Sequence, residues 1–292
     1  MTCPICEESF QKKIIKPSRN GYYYLVCPHC SGGVLMPRGK ALRNLKKAYQ
    51  PEYFNWQEAT GIRKFLNKLQ FFTPYTLWIN KKYELKPGKL LDVGAGIPDF
   101  ILRMNKNGWD GYALEIAPQQ VTLLKKYIGS SKVMLGDFEN FPLKINRFDI
   151  ITFWHMLEHL TFPAKSVRKA HQLLKKQGMI FAEFPNFDSF NLSLFGSKYI
   201  HFDLPGHLVY YNRKSVVTLF QKNGFSNIKI SYPLKLNGST SLNLSRIVYK
   251  KSRSQLLSQS LFYILLPLSI MLSVINAFIG RTDLIRVSAT RN

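Results

Sequence analysis

The sequence predicts an α/β fold, a doubly wound and largely parallel sheet, on three observations. Short apolar runs alternate with segments of helical period between Lys89 and Asn223. Glycine, proline or an acidic residue closes most of those runs. The stretch Lys89-Leu90-Leu91-Asp92-Val93-Gly94-Ala95-Gly96-Ile97-Pro98 opens an order of strand, tight turn, helix, strand and acid that ends at Glu115. In such an order the glycines let backbone approach a ligand, and the acid at the second strand's end accepts hydrogen bonds from ribose hydroxyls, as in a Rossmann-type nucleotide site.

Length and composition bound the rest. A chain of 292 residues, 46% of them apolar, holds one α/β domain of about 200 residues plus appendages. A net charge of +24 calls for an anionic partner: a nucleic acid, an acidic membrane surface, or both. All four cysteines lie within the first thirty residues. No secretory leader pattern opens the chain, so a reducing cytoplasm is the expected compartment.

From the N-terminus, Cys3-Pro4-Ile5-Cys6 and Cys27-Pro28-His29-Cys30 are two CxxC pairs separated by twenty residues. That spacing predicts a zinc ribbon over 1–36, with Tyr22–Val26 as a strand feeding the second knuckle. Four thiolates fill a tetrahedral zinc and leave no open position, so the metal is expected to be structural. Disulfides and a redox pair are the competing readings, and His29 is a spare donor. The segment 37–87 is basic and aromatic, and reads as a helical cap with a solvated basic face, a membrane-surface or RNA-binding face being the alternative. Lys40–Lys47 forms one amphipathic helix, and Ile62–Leu69 places Ile62, Phe65, Leu66 and Leu69 on one face of another.

The main domain is expected over 88–232. Asp99–Asn107 reads as a helix ended by Gly108, and Gly111–Leu114 as the second strand. Pro118–Ile128 is a helix, and Lys132–Leu135 a third strand running into Gly136-Asp137-Phe138. Arg147–Phe153 is the fourth strand, followed by Trp154-His155-Met156-Leu157-Glu158-His159. Pro163–Lys176 is a helix ended by Gly178, and Met179–Phe184 a fifth strand. Ligands sit outside the carboxyl ends of such strands, where Gly94, Gly96, Glu115, Asp137, Trp154 and His155 all fall. Phe187–Asn212 is an aromatic lid carrying His201 and His207, then come a helix to Asn223 and a sixth strand, Asn227–Tyr232.

Residues 233–282 form a hydrophobic insert. No charge occurs between Ser254 and Gly280, which is long enough for a transmembrane candidate. Yet Asp283–Ala289 reads as a last strand (283–292). A strand returning to the sheet favours an in-plane or re-entrant helical element, bent at Pro267, over a single span. A buried core or dimer helix and a tail anchor are the alternatives. Arg246, Lys250, Lys251, Arg253 and Arg281 are placed to meet anionic headgroups.

Leu91 to Gly96 resembles the first motif of the class I S-adenosylmethionine (SAM) methyltransferases, with Pro98 where that motif carries its third glycine. The segment Phe148-Asp149-Ile150-Ile151, running on to His155-Met156-Leu157-Glu158-His159, is similar to the ubiquinone-biosynthesis-type O-methyltransferases, as is His201-Phe202-Asp203-Leu204-Pro205-Gly206-His207. The resemblance covers Lys89–Asn223 and the last strand. It implies a seven-stranded Rossmann-like sheet whose last strand pairs antiparallel with the sixth. It implies SAM as cofactor, held by Asp92, Gly94, Gly96, Glu115, Asp137, Phe138 and Trp154. Asp137 would meet the adenine amino group and Phe138 pack on the ring. In the quinone enzymes a Glu-x-x-Glu-His arrangement is linked to a divalent cation; Glu158 and His159 match, and His155 replaces the first glutamate. His155, His201 and His207 are the base candidates, each also readable as a structural histidine.

The function expected is methyl transfer from SAM to an oxygen of a small amphipathic or lipid-linked acceptor, at the cytoplasmic face of an anionic membrane. A ribosomal RNA methyltransferase, using the ribbon and the basic surface, is the runner-up. A non-catalytic membrane-associated binding module is the third reading, kept open by Pro98.

Overall fold

The computed structural model describes residues 1–11, 15–48, 74–235 and 238–292, so the predicted helix Ile62–Leu69 lies outside the described residues. The N-terminal part contributes β1 (Ile15–Arg19), β2 (Tyr22–Val26), β3 (Gly33–Met36) and helix α1 (Arg38–Ala48). Helix α2 (Pro74–Tyr83) leads into the main domain. There follow β4 (Lys89–Val93), α3 (Asp99–Lys106), β5 (Asp110–Glu115), α4 (Pro118–Ile128), β6 (Val133–Leu135) and β7 (Phe148–Trp154). Next come α5 (Pro163–Leu173), β8 (Leu174–Pro185), α6 (Phe190–Phe195), β9 (Val209–Tyr210), α7 (Arg213–Lys222) and β10 (Phe225–Ser231). The chain closes with α8 (Ser239–Ser252), α9 (Gln255–Phe278) and β11 (Leu284–Arg291).

Seven strands form one sheet in the order β10-β11-β8-β7-β4-β5-β6. β4 lies centrally, parallel to both β5 and β7, and its residues Leu90 to Val93 are buried, as an apolar strand covered by helices on both faces requires. β11 inserts antiparallel between β8 and β10, so the expected seven-stranded sheet is present with its last strand reversed. Proline starts α4 and α5 at the first helical turn, where its missing N–H costs nothing. Asn212 and Ser215 cap α7 reciprocally.

One boundary differs from the sequence reading. The helix expected to run to Lys176 ends at Leu173, and Gly178 lies within β8 rather than ending the helix. Leu174 turns extended at ψ 148° and pairs with Phe148; the pairing then slips, resuming at Met179 beside Ile150. The glycine serves the slip. A Cβ on Gly178 would stand 2.8 Å from the Lys175 carbonyl oxygen and 3.1 Å from that of Asp149.

β1, β2, β3 and β9 form a second, four-stranded sheet. β9 belongs to the lid, so the N-terminal ribbon is sewn into the main domain by a strand lying more than 170 residues downstream of it. Cys3, Ile5, Cys6, Cys27 and Cys30 share one core with Phe153, Val167 and Phe220. Ion pairs Arg168–Glu7 and Lys222–Glu8 tie α5 and α7 to the ribbon.

Candidate active site

The carboxyl ends of β4, β5 and β6 are held side by side by backbone bonds from Gly94 N–H to the Leu114 carbonyl (2.8 Å) and from Gly136 N–H to the Glu115 carbonyl (2.9 Å). Gly94 and Gly96 take left-handed φ of 71° and 54°, which only glycine adopts readily. A Cβ on Gly94 would also press on Met156 at 3.0 Å. The Glu115 carboxylate closes this turn. One oxygen accepts from Gly96 N–H at 2.9 Å, and the other from the N–H groups of Ile116 (2.8 Å) and Ala117 (2.9 Å). These bonds fix the carboxylate in place beside the turn, where further lone pairs can receive a diol. Asp92 is buried and accepts from the Thr152 hydroxyl at 2.6 Å; burial lifts its carboxyl to about 7 against that bond. Pro98 has helical φ and ψ of −73° and −10°, and its carbonyl accepts from Leu102 N–H, so it begins α3 while removing one donor from the helix start.

Asp137 folds its carboxylate back onto the Glu139 N–H (3.0 Å) and the Asn140 side chain (2.7 Å), and Phe138 is turned into the core against Phe153. Exposed apolar side chains the sequence reading did not single out rim the same strand ends: Ile97, Ile116 and Leu135, at 60%, 43% and 51% exposure. Their signal was present, since each directly adjoins a glycine or acid of the motif.

On the other side of the turn Trp154 ends β7. Tyr75 of α2 stacks on it at 4.0 Å, and Phe100 meets it edge-on at 5.4 Å. Its indole N–H is buried with no acceptor among the described residues. His155 follows at φ 53°, pointing Nδ1 at Glu158 (3.6 Å) and Nε2 at Glu183 (3.2 Å). Partial burial opposes its charge, but the two carboxylates outweigh that and lift its pKa to about 9. His155 is therefore a paired imidazolium at neutral pH, fit to donate rather than to accept. Glu183 collects three more donors: Arg286 at 2.5 Å, the Tyr75 hydroxyl at 2.6 Å and Lys235 at 3.1 Å. Those partners hold its carboxyl well below the usual range despite burial. This cluster escaped the sequence reading, although an acid inside the apolar run Met179–Phe184 and a base inside the last strand were visible. In register, Arg286 lies directly across from Glu183.

The lid histidines lie apart. His201 packs edge-on to Tyr199, and burial pushes it down to about 4. His207 is buried beside His159, with ring centroids 4.8 Å apart, and burial pushes it well below its ordinary value. Glu158, His159 and His207 bring one donor atom each within 4.8 Å of one another. Both Glu158 oxygens are buried and, apart from the long 3.6 Å ion pair with His155, have no hydrogen-bond donor among the described residues; a cation between the three groups would give them further partners.

At the N-terminus all four Sγ atoms lie within 4.8 Å of one another, with Cys3–Cys30 at 3.8 Å and Cys6–Cys27 at 3.7 Å. A tetrahedron with zinc–sulfur bonds of about 2.3 Å has sulfur–sulfur edges of about 3.8 Å. The four sulfurs are buried and unbridged. The hydrogen bond with Cys30 pulls the Cys3 thiol down to about 5 while burial pushes Cys6 up to about 12, and a divalent cation at their centre would let all four stand as thiolates.

Comparison with known proteins gives one family match: a methyltransferase domain over residues 62–230, more than half of the chain. A ubiquinone biosynthesis O-methyltransferase of Xanthomonas oryzae is 28% identical over 158 residues, covering 51% of this chain and 65% of that protein, just under two thirds of its length. Among solved structures, a SAM-dependent methyltransferase of Thermotoga maritima superposes with a TM-score of 0.54 at 15% identity, over 85% of this chain and 99% of its own. A Haemonchus contortus phosphoethanolamine N-methyltransferase 2, bound to S-adenosylhomocysteine, gives 0.53 at 13% identity, over 82% and 60%. At these identities the structural matches speak for the fold.

Proposed function

Because the chain belongs to the methyltransferase domain family, we propose that it transfers the methyl group of SAM to an oxygen of a small amphipathic or lipid-linked acceptor at the cytoplasmic face of a membrane. The observation that carries the SAM site is the fixed Glu115 carboxylate against the glycine turn, rimmed by exposed apolar side chains. The oxygen preference follows the relative from Xanthomonas oryzae, whose name is that of an O-methyltransferase. The lipid preference follows the apolar helix α9.

SAM, when bound, would supply a sulfonium-activated methyl, which the acceptor oxygen attacks in line so that the thioether leaves. The chain's own groups have three tasks. Asp92, Gly94, Gly96 and Glu115 bind and orient the nucleoside end. Trp154, Tyr75 and the lid exclude water and position the acceptor, and positioning supplies much of the rate in such transfers. The neutral lid histidine His201 takes the acceptor proton, while His207 is left to a cation shared with Glu158 and His159, and the paired His155 holds the loop after β7. In balance, the acceptor gains a methyl, the sulfonium becomes a thioether, and one proton is released.

Two metals belong to this reading. Structural zinc on Cys3, Cys6, Cys27 and Cys30 would hold the ribbon. A divalent cation on Glu158, His159 and His207 would tie the lid to the end of β7 and leave coordination positions open. The test is methyl transfer from isotope-labelled SAM into solvent-extractable lipid of an added membrane fraction. Transfer that vanishes in Glu115→Ala is expected; label found in RNA, or in nothing, would overturn the reading.

A further inference from the structure

We infer that α8 and α9 form a one-leaflet anchor, lying in the plane of an anionic bilayer with the outer face of α9 sunk into it. The inference deepens the membrane-surface part of the function proposed above and rests on it.

The first observation is that α9 is inside out. On a 3.6-residue helix, Leu257, Ile264, Leu268, Met271, Ile275 and Phe278 share one side, and all are exposed, Ile264 at 72% and Phe278 at 87%. The opposite side carries Ser258, Ser269, Ser273 and Asn276, interleaved with the half-buried Phe262 and Leu266, and of the polar residues Ser269 and Asn276 are buried at 1% and 7%. A surface helix of a water-soluble domain does the reverse. The partner helix matches: α8 buries Ser239, Thr240, Ser241, Asn243 and Ser245. The seam is hydrogen-bonded. Ser269 Oγ accepts from the N–H groups of Thr240 (3.1 Å) and Ser241 (3.3 Å), capping the start of α8, and Ser258 Oγ donates to the Ser245 carbonyl at 2.9 Å. Small polar residues between helices and large apolar ones outside are the arrangement of helices packed in lipid.

The second observation sets the orientation. β10 and β11 pair antiparallel, Ser231 beside Arg286, so both ends of the hairpin return to one place in the sheet. A single crossing is thereby excluded. A double crossing fails on length and charge. α8 has 14 residues, about 21 Å, against a hydrocarbon core of about 30 Å. Its outer end carries Lys250, Lys251 and Arg253, all exposed. These cations flank the exposed Leu256 and Leu257 at the start of α9, where in-plane binding sets them at headgroup level and tip-first insertion would bury them. Arg281, expected from the sequence to meet headgroups, instead donates to the Asp188 carbonyl and the Ser193 hydroxyl.

The anchor is bolted to the lid. Thr240 Oγ1 donates to Asn191 Oδ1 at 2.8 Å, Asn191 donates to Asp283 at 3.1 Å, and Asn243 Oδ1 accepts from Ile200 N–H at 2.8 Å. Membrane docking therefore presents the lid that carries His201 to the lipid from which an amphipathic acceptor would arrive.

The test uses the full chain with vesicles of phosphatidylcholine alone, or mixed three to one with phosphatidylglycerol, and S-adenosylhomocysteine calorimetry beside it. Co-sedimentation with the mixed vesicles is expected, weakened at least tenfold by Ile264→Asp with Leu268→Asp. Lys250→Gln with Lys251→Gln and Arg253→Gln should weaken it several-fold, and both sets should leave nucleoside affinity unchanged. Depth-dependent quenching of Leu256→Trp and Phe278→Trp should give the same shallow depth. Unequal depths would replace the in-plane anchor by a crossing one. Equal binding by the aspartate variant and the parent would move the contact to another surface. A dimer that the aspartates split would make a second copy the occupant. Absence of vesicle binding would sink anchor and membrane reading together. Vesicle binding without nucleoside binding would leave the anchor standing and remove the methyltransferase activity.

Discussion

Asp92 shows how one residue carries both the site and a cost. Its carboxyl is lifted to about 7 from an ordinary value of 3.8. Between those two pH values the folded state holds a proton that the unfolded state has released, so stability falls as pH rises through the window, and the deficit is complete above it. Asp92→Asn removes that titration while keeping an acceptor for Thr152. Its melting temperature relative to the parent should therefore climb between pH 4 and pH 8, with about 4 kcal/mol as the upper bound. A flat difference across that range would show that Asp92 ionises freely in the fold. Glu183 is the opposite case, a buried carboxylate satisfied by four donors. Arg286→Met leaves it with three and should cost roughly 2–3 kcal/mol in denaturant unfolding, less than for an isolated buried pair because Lys235 and His155 remain. The glycine turn and Glu115 were legible in the sequence because their spacing carries the geometry. The Glu183 cluster was not, because its members come from α2, the turn after β7, β8, β11 and the segment after β10, and only the pairing of β8 with β11 brings Arg286 to Glu183.

At the scale of elements, strands read well where burial on both faces made them continuous apolar runs, as in β4 and β7. The α5–β8 boundary did not, because Leu174 to Gln177 are helix-compatible residues running up to a glycine, while Leu174 is already claimed by Phe148. α8 gave no periodic apolar signal, since the face it buries is serine, threonine and asparagine. The ribbon was legible from its cysteines alone, but not that β9 completes its sheet, a contact between distant parts of the chain. That contact has a consequence. If the four cysteines hold zinc as proposed, its loss should not leave the main domain untouched, because the cysteine core is continuous with Phe153 and Val167. Chelation is expected to lower the melting temperature of the whole chain in a single transition, with zinc released at one equivalent per chain. Two separate transitions would show that the ribbon folds alone.

At the scale of the molecule, two distant parts of the chain hold the lid. The ribbon braces it through β9, and the α8–α9 hairpin holds it through Asn191 and Asn243. The central claim is that the strand-end site binds SAM through Glu115. Titration calorimetry of the full chain with S-adenosylhomocysteine, parent against Glu115→Ala, tests it most directly. One site per chain, with affinity reduced at least tenfold in the variant while its melting temperature stays near the parent's, is the expected result. No heat of binding from the folded parent, or equal binding by both proteins, would contradict it.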